Sequence, residues 1–210
     1  MGLIRHDTVS TKFQKIDSII NLLVTEMDND QELKRLCTYL TDQPLKDKSV
    51  DMDKNIIIQK DILASMLKEQ IVYTEKNGKK VIPQILIPYC YQEAKVNQEC
   101  VTIFVYNDKN DLDNKIGIND FNIDVLVPAK YQELNPYGIN RIHEILKRIS
   151  YLFDNVQTDK ESSEILGNIT FNLAGIGREG RINKTNEMTI YSVIVRTKLI
   201  NARGNGYGIK

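Results

Sequence analysis

Hydrophobic residues recur at spacings of three and four over residues 11–27. Phe13, Ile16, Ile19, Ile20 and Leu23 fall on one stripe there, which predicts an amphipathic helix. Asp28, Asn29 and Asp30 interrupt the stripe, and Asp30 suits the N-cap of a second helix carrying Leu33, Leu36, Cys37 and Leu40. Pro44 ends helical structure. Residues 42–55 hold Asp42, Lys46, Asp47, Lys48, Asp51, Asp53 and Lys54 and read as a solvated loop. A short third helix is expected over 60–69, with Ile62, Leu63, Met66 and Leu67 on one side. Asn77-Gly78 lies between IVYTE and KKVIPQILI, which predicts a tight turn and a small β-hairpin. Pro83 and Pro88 keep the second arm out of a central sheet position.

The pattern changes to alternation in the C-terminal half. CVTIFVYN (100–107) is β-branched and aromatic and predicts a strand. A polar connection, 108–120, leads to FNIDVLVP, where Phe121, Ile123, Val125 and Val127 alternate against Asn122, Asp124 and Leu126. Pro128 closes that strand. Asn135-Pro136 suits a helix start, with Asn as cap and Pro at the first helical position. Ile139, Ile142, Ile145, Leu146, Ile149, Leu152 and Phe153 continue as one stripe, so a helix is expected over 136–153. NITFNLAGI (168–176) alternates again, and the Gly- and Asn-rich GREGRINKTN reads as a turn. EMTIYSVIVRTKLI (187–200) is a long last strand, and residues 201–210 read as a flexible tail with three glycines. The order strand, strand, helix, strand, strand implies an α+β fold: a mainly antiparallel sheet with a long helix packed on one face, plus the N-terminal helices.

Composition narrows the function classes. The 210 residues suffice for one core, and 41% hydrophobic with 27% charged content is ordinary for a globular chain. A single domain, 1–210, is expected. No apolar run of membrane-spanning length occurs, and MGLIRHDTVSTKF resembles neither a secretory signal nor, with His6, a myristoylation site. The 28 basic residues balance the 28 acidic ones, so no overall field gathers phosphates. The three cysteines, Cys37, Cys90 and Cys100, are too few and too scattered for a disulfide framework and fit a reducing compartment.

Reactive groups are sparse. His143 lies in RIHEIL beside Glu144, without the one-turn spacing of a helical metal site, and reads as a helix-surface residue. The segment 175–180, GIGREG, looks like a phosphate cradle, but it sits between strands and lacks a helix dipole; it reads as a hairpin loop. Asp108, Asp111, Asp113 and Asp120 lack the spacing of a calcium loop and read as solvated. Cys100 heads an apolar strand and reads as core filler. The ten tyrosines are scattered without interleaved basic residues, which suits protein contacts rather than a nucleic-acid stacking surface. Neither a catalytic residue nor a cofactor or metal ligand stands out.

From Phe121 to Ile200 the chain resembles the neck and tail-terminator proteins of tailed bacteriophages. The resemblance rests on an apolar strand, FNIDVLVPAKYQELNP, and a helix with an R-I-x-E-I-like core, here Arg141, Ile142, His143, Glu144 and Ile145. A short strand around NITFNLAGIG and the final alternating strand EMTIYSVIVRTKL complete it. It covers about 80 of the 210 residues, and residues 42–98 read as an insertion beside it.

The resemblance implies a structural virion protein at the head–tail junction with no catalytic role. Copies would form a closed ring, hexameric or dodecameric, by head-to-tail contacts. Portal, adjacent connector or tail proteins would be its partners, and double-stranded DNA would pass through the lumen without sequence recognition. Arg178, Arg181 and Lys184 are the candidates for DNA-lumen or inter-ring contact, against the plainer reading of a solvated turn. The glycines of 175–186 and 201–210 suggest segments that order on neighbouring rings. Two other readings remain open at this point: a cytoplasmic, non-enzymatic protein-binding module of similar fold, and an enzyme with dispersed catalytic residues.

Overall fold

The computed structural model describes residues 9–45, 49–52, 56–59, 65–68, 72–75, 78–81, 84–90, 92, 96, 100–110, 118–134, 138–160, 166, 168–182 and 188–199. Helix α1 (Val9–Asn29) follows the predicted stripe and buries Ile16, Ile19, Leu23, Val24 and Met27. Phe13's side chain lies outside the described set. Asp30 caps α2 (Gln31–Thr38) as expected, its carboxylate accepting from the Leu33 amide at 2.7 Å. The helix stops at Thr38, ahead of Pro44, so Leu40 lies beyond it.

The expected loop over 42–55 is corrected in part. Strand β1 (Ser49–Met52) pairs antiparallel with β2 (Ile56–Gln59). The expected hairpin around residues 77–78 is present as β3 (Val72–Glu75) and β4 (Gly78–Val81). Both hairpins are two-stranded sheets of their own, outside the main one. The third helix is not found where the chain is described: Ser65–Lys68 is a turn, and 60–64 lie outside the described residues. Its Met66 carbonyl accepts from Ile85 and Leu86, at 3.1 and 2.8 Å, and its Met66 amide donates to Asp28 at 2.5 Å. A short apolar run has no period of its own, so tertiary hydrogen bonds decided its shape.

The main sheet is six-stranded and mixed, in the order β10-β11-β12-β7-β6-β5. Its members are β5 (Leu86–Ile87), β6 (Thr102–Asn110), β7 (Ile118–Pro128), β10 (Val156–Gln157), β11 (Ile169–Ile182) and β12 (Met188–Leu199). All neighbours are antiparallel except β5 and β6, which run parallel. Between the β7 and β10 positions, β8 (Glu133–Leu134) and β9 (Ile139–Asn140) make a small separate hairpin that leads into α3 (Arg141–Phe153). The α+β class therefore holds. One face of the sheet, with Ile103, Val105, Phe121, Ile123, Val125 and Val195, shares a single apolar core with buried residues of α1, α2 and α3. No described helix is long and apolar enough to cross a membrane.

Two boundaries move. Helix α3 starts at Arg141, not at residue 136: Gly138 turns with φ +66°, β9 intervenes, and Asn140 caps by accepting from the Ile142 amide at 3.1 Å. Residues 135–137 lie outside the described set. The Gly-rich segment expected as a turn is instead mostly strand, because β11 continues to Ile182. Register shifts between Leu173 and Gly175 and between Ile176 and Glu179 absorb the irregularity, and Gly175 takes φ +147°, a conformation open to glycine and to few others. Of the segment expected to order on neighbouring rings, 175–182 belong to β11, while 183–186 and 201–210 lie outside the described residues.

Arg141, read in the sequence only as part of the R-I-x-E-I core, is 0% exposed. Its guanidinium donates to the carbonyls of Leu36 (2.6 Å), Tyr39 (2.9 Å), Tyr131 (2.8 Å) and Thr41. A helix leaves its last carbonyls without intrahelical donors, so this one side chain finishes α2 and ties it to the first turn of α3 and to the segment after β7. Burial lowers its pKa from the usual guanidinium range to about 10, which leaves it charged at neutral pH. Two turns further on, Arg148 grips Asp30 through Nε (2.8 and 2.9 Å) and Nη2 (2.5 Å), and Glu32 through Nη1 (2.9 Å). The hydrogen bond to Asp30 raises Arg148's pKa further above its usual value.

Candidate functional site

Two regions of the sheet carry groups that ordinary packing does not explain. The first is a polar cluster on the face away from the helical core. In β7, Asn122, Asp124 and Leu126 alternate with the apolar residues, and the sequence reads them as the face opposite the core. The structure buries that face as well: Leu126 joins Ile87, Phe104, Met188 and Ile190 in a second apolar cluster, with Tyr89, Val96 and Tyr106 packed against it. Asp124 sits at its border and is 1% exposed.

Asp124 is held across three strands. In β12, Ser192 stands directly opposite it, and its hydroxyl donates to Oδ1 at 2.5 Å. From β6, the Tyr106 hydroxyl donates to Oδ2 at 3.0 Å. Tyr106 in turn accepts from Asn122 Nδ2 at 3.2 Å. A buried carboxylate needs such donors, since its hydration is lost. The arrangement satisfies Asp124 and fixes the register of β6, β7 and β12, because a one-residue slip would exchange the two faces. Chemically it is a carboxylate that accepts from the hydroxyls of Ser192 and Tyr106. Among the described residues no imidazole joins it: His143 makes an edge-to-face contact with Tyr191 at 5.7 Å, and Tyr191 alternates with Ser192 onto the other face. Groups of three or more His, Cys, Asp or Glu placed to hold a metal are absent among the described residues.

The second region is the outer side of β11. β10 covers it only opposite Thr170 and Phe171. Leu173 donates its amide to Asp154 at 3.1 Å, and beyond it no described strand pairs with this side, although β11 runs on to Ile182. Long open edges are adhesive, because backbone donors and acceptors point outward. Large apolar side chains lie exposed in the same part of the molecule: Ile176 (63%) on β11, Val156 on β10, and Tyr151 (71%) near the end of α3, under Arg148 at 4.5 Å.

The sequence candidates separate. Arg178 and Arg181 fall within β11, not in a solvated turn, and Lys184 lies outside the described residues. Sequence reasoning missed Asp124 and Ser192, which stand as ordinary polar positions in alternating strands. Only the cross-strand register brings them together. No family model and no curated protein matches the chain.

Proposed function

We propose that the chain is a non-enzymatic structural subunit of a tailed-phage particle, forming a closed ring at the head–tail junction. The observation that carries this is the outer side of β11, with which no described strand pairs beyond Phe171 and near which Ile176 lies exposed. A subunit built for heterologous assembly needs an adhesive edge that its own fold leaves free. The pattern shared with neck and tail-terminator proteins supports the same reading, with α3 as the long helix lying on one face of a mainly antiparallel sheet. Copies would form a hexamer or a dodecamer, portal and tail proteins would sit above and below, and double-stranded DNA would pass through the lumen in the virion. The near-zero net charge suits a channel that does not grip its cargo. The same open edge favours one rival, a cytoplasmic module that takes a strand from another protein.

The test is assembly. Light scattering and negative-stain imaging of the purified chain, alone and mixed with its portal and tail neighbours, should show closed rings, and imaging of virions should place them at the head–tail junction. A chain that stays monomeric beside those neighbours, or that turns over a substrate, overturns the proposal.

A further inference from the structure

We draw no further inference here: the strongest candidate, the exposed apolar surface patch of Tyr151, Val156 and Ile176 on α3, β10 and β11, carries nothing, because nothing in the structure shows what covers it.

Discussion

Replacing Arg141 with methionine keeps the volume of the side chain and removes all of its donors. Four carbonyls then lose a partner: Leu36 and Tyr39 inside the core, Tyr131 and Thr41 nearer its margin. The marginal pair regains water. The two buried carbonyls do not, and at about 2 kcal/mol for each unsatisfied group the loss is about 4 kcal/mol. Removing a desolvated charge offsets part of this, and the lowered pKa shows that burial does work against the charge. Total stabilities of about 5–15 kcal/mol make such a loss severe. Urea denaturation followed by circular dichroism should move its midpoint down by roughly 1.5 M at unchanged slope. Arg141→Lys retains the charge but cannot span four acceptors, so it should fall between wild type and methionine. Should Arg141→Met unfold within about 0.5 kcal/mol of wild type, the guanidinium would be an incidental occupant of the core and the account of how α2 is finished would be wrong.

Asp30 should separate into two functions: Asp30→Asn keeps an N-cap for α2 and loses the Arg148 ion pair, whereas Asp30→Ala loses both and should cost about 1 kcal/mol more in the same denaturation assay. Asp124→Ala takes the carboxylate from the buried Ser192 hydroxyl and from the half-buried Tyr106 hydroxyl and should cost about 3 kcal/mol, while Ser192→Ala should cost about 1 kcal/mol; equal effects of the two would argue against a carboxylate at the centre of the cluster. Burial pushes the Cys37 thiol well above its usual 9.0, so the unfolded chain releases this proton first. Its contribution is flat below pH 9 and becomes destabilising above it, approaching about 1.4 kcal/mol per pH unit; comparing wild type with Cys37→Ala between pH 8 and 10 should show that difference in slope. Native alkylation read by mass spectrometry should modify Cys90, which is exposed, ahead of Cys37 and Cys100, which are buried.

Local signals in the sequence reached the elements whose reasons are local. The α1 stripe, the Asp30 cap, the residue 77–78 hairpin and the alternation of β7 and β12 each depend on spacing or on one side chain reaching its own backbone. What failed depends on residues far apart in the chain. The start of α3 moved because Asn140 and Gly138 outcompeted a plausible Asn-Pro start, and 175–182 became strand because β12 offered a full ladder that bulges let the glycines join. Arg141 stood in the sequence only as part of the R-I-x-E-I core until folding carried the end of α2 to it, over 100 residues away in sequence. Asp124, Ser192 and the open side of β11 likewise exist only as relations between strands, since alternation fixes which face a residue takes but not what will cover that face. Periodicity is a property of a segment; burial, register and uncovered edges belong to the assembled sheet.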